Sequence, residues 1–145
     1  MTKSAANLVI LLVEDNPGDV FMVREALDDA GAIHQVHVVN NGIEAMNFLL
    51  RRGPHASAPR PDLVVLDLNL PAKPGREILA EMAASPEIRD VPVAVLTSSR
   101  SERDICEAFP TLRATFAVKT PDHRELVGIL DRFVQFARPS SPNQV

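Results

Sequence analysis

The amino-acid sequence predicts an α/β protein: a doubly wound, five-stranded parallel sheet in a three-layer sandwich of (βα)5 order. Three observations carry this. Five short runs are almost continuously apolar and rich in β-branched residues, as strands covered on both faces must be. A helix-compatible stretch follows each run, and right-handed crossovers then place helices on both sides of one sheet. At 145 residues with 46% hydrophobic content, the chain has the size of one domain with a single core.

The first strand is Leu8 to Val13, and the helix after it covers 18 to 30, closed by Gly31. Gln35 to Val39 forms the second strand, and Asn41-Gly42 opens a helix over 42 to 52. The segment RRGPHASAPRP, Arg51 to Pro61, is too rich in Pro, Gly and Ser to be anything but a loop. Leu63 to Leu68 is the third strand, with a helix over 75 to 84. Pro92 to Thr97 is the fourth, followed by a helix over 101 to 109. Ala114 to Val118 is the fifth, and a last helix covers 122 to 137. Residues 1–7 read as an N-terminal extension, 8–137 as the domain, and 138–145 as a tail or an arm reaching a partner.

Composition excludes several classes. With 15 Lys and Arg against 19 Asp and Glu, and no basic block, the chain lacks the footprint of a nucleic-acid binder. The start MTKSAANLVILLVED has neither the length of a membrane span nor the order of a signal peptide, and the single cysteine, Cys106, permits no internal disulfide. A cytoplasmic protein is expected. Cys106 shares an apolar stripe with Ile105 and Phe109, where a packed thiol is expected. His34, His37, His55 and His123 show no paired ligand spacing and read as surface residues.

Function is read at the strand ends, because ligands of such sheets bind beyond the carboxyl edge at the switch in strand order. The first strand runs into Glu14-Asp15, the third carries Asp67 in LVVLDLNLP, the fourth ends in Thr97-Ser98, and the fifth leads to Lys119. Singly, each has a plain structural explanation: Glu14-Asp15 precedes the cap-like Asn16-Pro17-Gly18, Thr97 and Ser98 suit a helix start, and Lys119 suits a solvated surface. Their joint arrival at one edge, 52, 30 and 22 positions apart between Asp15, Asp67, Thr97 and Lys119, favours a site instead.

Carboxylates a few ångströms apart repel by roughly 4 kcal/mol per pair at an effective dielectric near 20, and one lysine offsets only one of them. A hard divalent cation answers the rest. Mg²⁺ takes oxygen ligands and is typically held by one or two carboxylates plus a phosphate. Asp15 and Asp67 are the expected direct ligands, Glu14 acts mainly through water, and the Asn69 backbone carbonyl is a further candidate. A metal, a lysine and a hydroxyl around one carboxylate suit phosphoryl transfer onto it, with Asp67 as nucleophile and Thr97 and Lys119 contacting the phosphoryl oxygens.

LLVEDNPGD, VVLDLNLP, VAVLTSS and FAVK resemble the acidic pair, phospho-acceptor, switch hydroxyl and lysine of two-component response-regulator receiver domains, over about residues 8 to 136. EDNPGD, the NGIEAMNFL helix, DLNLP and LTSS are more narrowly similar to single-domain regulators that accompany bacterial phytochrome histidine kinases. The resemblance implies a flavodoxin-like receiver fold and a Mg²⁺-dependent acceptor of a phosphoryl group from a sensor histidine kinase, later lost by hydrolysis. It implies a switch in which Thr97 moves toward the phosphoryl oxygens and Phe116 turns inward. Output then runs through the fourth helix, fifth strand and fifth helix to a downstream protein or a phosphotransfer protein.

Three departures from the family pattern stand out. Lys119 is followed by Thr120 before Pro121, so the Lys-Pro step that is often cis is absent; Pro74-Gly75 replaces Asp-Gly; and Phe116 replaces tyrosine. In the last helix, apolar residues from Leu126 to Ala137 spread over about half the circumference, wider than the roughly 100° stripe a sheet covers. A homodimer through the fourth helix, fifth strand and fifth helix is the expected cover.

Other functions fit less well. An aspartyl-nucleophile phosphatase would carry a general-acid Asp two residues after the nucleophile, where this chain has Asn69. A flavin or nucleotide carrier would open its first loop with Gly or Ser/Thr rather than EDNPGD. A pseudo-receiver acting as a binding module alone would take no phosphoryl group despite the intact acceptor.

Overall fold

The computed structural model describes residues 8–30 and 34–138. Its elements are β1 (Val9–Val13), α1 (Pro17–Asp29), β2 (Gln35–Val39), α2 (Gly42–Leu50), β3 (Leu63–Leu66), α3 (Gly75–Ala84), β4 (Val93–Thr97), β5 (Ala114–Val118) and α4 (His123–Ala137). A short 3-10 turn, Gly53–His55, follows α2, and a 3-10 helix, Arg100–Ala108, joins β4 to β5. The sheet order is β2-β1-β3-β4-β5 with every pair parallel, so the strand order reverses beside β1.

Side chains alternate between two cores, as the period of two in a strand requires. Leu11, Val13, Val64, Leu66, Val93 and Val95 face α2 and α3, where Phe48, Ile78, Leu79 and Met82 meet them. Ile10, Leu12, Leu63, Val65, Ala94 and Leu96 face α1 and α4, against Val23, Leu27, Leu130 and Phe133. Each such side chain stabilises the fold by about 1.5–3 kcal/mol relative to exposure. Registers Val13↔Val39, Val13↔Leu66 and Thr97↔Val118 bring the strand ends level at one rim.

Helix starts follow local capping. Asn16 accepts from Asp19 N with Pro17 in the first turn of α1, Asn41 accepts from Glu44 N at α2, and Asp122 accepts from Glu125 N at α4. The expected third strand is shorter than the sequence implied, ending at Leu66, so Asp67 stands just beyond the ladder.

The expected fourth α-helix over 101–109 is corrected: the segment is the 3-10 helix Arg100–Ala108. Of its nine residues only Ile105 is buried, and Ser99 supplies no side-chain cap. With one anchoring side chain there is little tertiary packing to favour α geometry, since short helices owe their stability mainly to a packed face. Cys106 is half-buried there, and burial pushes its thiol up, as a packed thiol requires.

Two further expectations change. His34, His37 and His55 are half-buried rather than surface residues; His34 Nδ1 accepts from Leu8 N at 3.3 Å, and His55 Nε2 lies 2.7 Å from Glu44 Oε1. The wide apolar arc of α4 is largely covered within the chain, because α4 packs on α1 as well as on the sheet. Leu126, Ile129, Leu130, Phe133, Val134 and Ala137 are buried, and half-buried Phe136 lies 5.1 Å under the Arg113 guanidinium. Among the described residues every peptide bond is trans, Lys119–Thr120 included. The expectations for Gly31, the extension 1–7 and the tail beyond Arg138 lie outside the described residues.

Candidate functional site

Every strand that the sequence pointed to delivers its polar residue to the same rim. Glu14 follows β1, and its N–H donates to Val39 O at 3.0 Å. Asp67 follows β3, with its N–H donating to Val13 O at 3.1 Å. Thr97 closes β4, and its carbonyl accepts from Lys119 N at 2.8 Å. These backbone bonds prolong the ladders by one step, so the functional side chains start from fixed backbone.

Glu14, Asp15 and Asp67 each place a carboxylate oxygen within 4.8 Å of the others'. Glu14 is 3% and Asp67 6% exposed, whereas Asp15 faces solvent. Such a set of hard oxygen donors, two of them buried and one open, fits a divalent cation of the Mg²⁺ type. Lys119 lies inside the same cluster, its Nζ 2.8 Å from Glu14 Oε1, 2.7 Å from Asp19 Oδ2 and 3.2 Å from Asp67 Oδ2. Burial alone would push the Lys119 ammonium down; hydrogen bonds to Asp19 and Glu14 and the charge of Asp67 reverse this and raise it above its ordinary value. Burial is the largest influence on the Glu14 carboxyl and pushes it up; hydrogen bonds to Lys119 and Asn16 and the Lys119 charge pull it down, the Asp67 charge pushes it up, and the net is a rise. The pocket therefore carries more negative charge than one lysine satisfies.

Asp67 is oriented by its own loop. Asn69 N–H donates to Asp67 Oδ1 at 3.1 Å, so this residue orients the Asp67 carboxylate through its backbone nitrogen. Gly75 N–H returns to Leu68 O at 3.0 Å, and a Cβ at Gly75 would stand 2.6 Å from Leu68 Cα. Only glycine fits this approach. Ala72, in the same loop, holds φ at 69°, a left-handed conformation that side chains resist. Thr97 is fully buried, and its hydroxyl donates toward Glu102 Oε1 at 3.5 Å. Phe116 is half-buried against the core shared with α2 and α3.

Asp19 is the residue that sequence reasoning missed. It was read only as part of EDNPGD, yet it makes the shortest contact to Lys119. Its signal was present: an acid at the third position after the Asn16 cap occupies the first turn of α1, on the same rim as Glu14.

A 2-1-3-4-5 parallel sheet with an acidic cluster, a lysine and a buried hydroxyl at its carboxyl edge defines the class: a flavodoxin-like receiver. The response regulator receiver domain family matches residues 10–131, and the chain belongs to that family. It is similar to the response regulator Rcp1 of Synechocystis, with 37% identity over 88% of this chain and 87% of that protein. Among solved structures, the phosphorylated cyanobacterial phytochrome response regulator RcpA shares 39% identity over 90% of this chain and 94% of that one, with a TM-score of 0.79. The Mn²⁺-bound form of Rcp1 shares 36% identity over 86% of this chain and 90% of that one, with a TM-score of 0.75. Among the described residues no helix is long and apolar enough to cross a membrane.

Proposed function

We propose that residues 8–137 form a single-domain receiver that accepts a phosphoryl group on Asp67 from a phosphohistidine of a sensor histidine kinase. The observation that carries this reading is the meeting of Lys119 Nζ with Asp67 Oδ2 at 3.2 Å inside a cluster of three carboxylates. A carboxylate oxygen of Asp67 attacks phosphorus and forms the O–P bond. The P–N bond to the kinase imidazole breaks, and its electron pair stays on the ring nitrogen, which takes up a proton.

Mg²⁺, when bound, supplies neutralisation of the phosphoryl oxygens, the main requirement of such transfers. Asp15 and Asp67 would hold it directly, Glu14 through water, and the Asn69 carbonyl would complete the protein donors. Lys119 contacts one phosphoryl oxygen. The Thr97 hydroxyl leaves Glu102 and donates to another, and Phe116 follows inward. A phosphate adds nearly two negative charges and three acceptors, enough to bias the segment from Arg100 through β5 and α4.

The kinase partner is of the phytochrome type, a reading supported by the likeness to RcpA and Rcp1. The chain acts in the cytoplasm, assists its own phosphorylation and dephosphorylation without turning over free substrates, and signals to a downstream protein or phosphotransfer protein. A homodimer through the 3-10 helix, β5 and α4 is supported by the half-burial of all five residues of β5 at a sheet edge. Sedimentation at tens of micromolar tests it, and monomer alone rejects it.

Phosphotransfer from candidate kinases to wild type and to Asp67→Asn tests the acceptor. Label on wild type alone is expected, and equal label on the variant overturns the assignment. Sustained hydrolysis of a generic phosphate ester would instead favour the phosphatase reading, which Asn69 disfavours by lacking a proton to give.

A further inference from the structure

We propose that Asp19 is a positioning residue that shares the Lys119 ammonium with Glu14 and Asp67 and draws it toward α1, loosening its hold on Asp67 until that residue is phosphorylated. The inference rests on the receiver reading above and adds a group to its site.

Three oxygens compete for one ammonium, and the acceptor is the most distant of them: Asp19 Oδ2 at 2.7 Å, Glu14 Oε1 at 2.8 Å, Asp67 Oδ2 at 3.2 Å. Asp19 is set apart from the other two by its placement. It belongs to α1 rather than to a strand end, and its side chain is 34% exposed against 3% for Glu14 and 7% for Asp67. Its backbone is pinned, because Asp19 N donates to Asn16 Oδ1 at 3.0 Å and Pro17 fixes the turn between them. A carboxylate so held draws Nζ toward the rim.

The consequence is a division of charge. A cation that needs Asp15 and Asp67 competes with Lys119 for the same oxygens, since an ammonium and a metal cannot both occupy one carboxylate's lone pairs at full strength. While Asp19 shares the ammonium, Lys119 makes its longest contact to Asp67, at 3.2 Å, and leaves that carboxylate freer to meet the cation. Once Asp67 carries a phosphoryl group, three new acceptor oxygens with nearly two charges outbid a single half-exposed carboxylate, and Lys119 transfers to them. Asp19 thus keeps the lysine near while weakening its competition with the metal.

The experiment is a double-mutant cycle read by calorimetric titration with Mg²⁺, a suitable readout because the chain has no Trp or Tyr to report binding by fluorescence. Asp19→Asn is expected to weaken Mg²⁺ binding about five-fold, Asp19→Glu to restore most of it, and Asp19→Asn in a Lys119→Met background to change it by less than about two-fold. An effect of Asp19→Asn that persists undiminished without the lysine means that Asp19 acts by its own charge, and overturns the proposal. Wild-type affinity in Asp19→Asn overturns it too. Each protein is also treated with acetyl phosphate and weighed by intact mass. Wild type gaining one phosphoryl group while Asp67→Asn gains none keeps the receiver reading intact, so a failed cycle then counts against Asp19 alone; failure of wild type to bind Mg²⁺ or to be phosphorylated removes both.

Discussion

The centre of the sheet and its β5 edge are built to different standards. All four residues of β3 and all five of β4 are buried, whereas all five of β5 are half-buried and the 3-10 helix beside them sinks only Ile105. Asp67, the proposed acceptor, therefore follows a fully buried strand, while the surface beside Thr97 rests on one buried side chain. Chemistry that depends on position sits where displacement is costly, and a segment that must change shape sits where displacement is cheap.

The largest test of that contrast is a pair of truncations. Leu66→Ala should cost about 3 kcal/mol or more in denaturant unfolding, and Phe116→Ala about half as much, because a half-buried ring leaves a smaller cavity. Equal losses would erase the contrast. Hydrogen exchange sharpens it: amides of 100–108 should exchange by local opening, and those of β3 only by global unfolding. Next in size, Lys119→Ala leaves buried Glu14 and Asp67 without their shared cation and should cost about 2–3 kcal/mol in the absence of divalent ions. Mg²⁺ should recover part of that loss by mass action.

A smaller effect concerns Glu14. Its folded-state pKa is raised, chiefly by burial, so the folded chain binds more protons there than the unfolded one. The ionised group lowers stability at neutral pH, and that penalty fades as pH falls through the raised value toward the ordinary 4.5. Without divalent ions, Glu14→Gln should thus be at least as stable as wild type at neutral pH, with its advantage shrinking on acidification. A thermal-melt series in which that advantage grows instead would contradict the assigned cause. Smallest of all, Ala72→Gly should add about 0.5 kcal/mol, since glycine relieves the positive φ of the acceptor loop but loses more entropy on folding.

Much of this architecture was legible in the residues. The strands were readable because a buried parallel sheet leaves continuous apolar runs, and the rim followed from what ends each run, Asp15, Asp67, Thr97 and Lys119 included. The 3-10 helix was not readable: RSERDICEA has the composition of an exposed α-helix, and what decides its geometry is how few of its side chains find the core. The α4 arc misled for the reverse reason. Its width is satisfied by α1, an element close in space but about a hundred residues earlier, and Asp19 escaped notice because its partner Lys119 lies equally far along the chain.

One small residue ties the loop after β3 to the helix that follows it. At Gly75 the backbone of α3 presses on Leu68 Cα and on the Asp67 carbonyl with no room for a methyl group. The loop bearing Asp67 and the first turn of that helix are consequently held in direct backbone contact. Any side chain at position 75 would have to push the backbone at Asp67 and Leu68 aside, so the seating of one helix start sets where residue 67 stands.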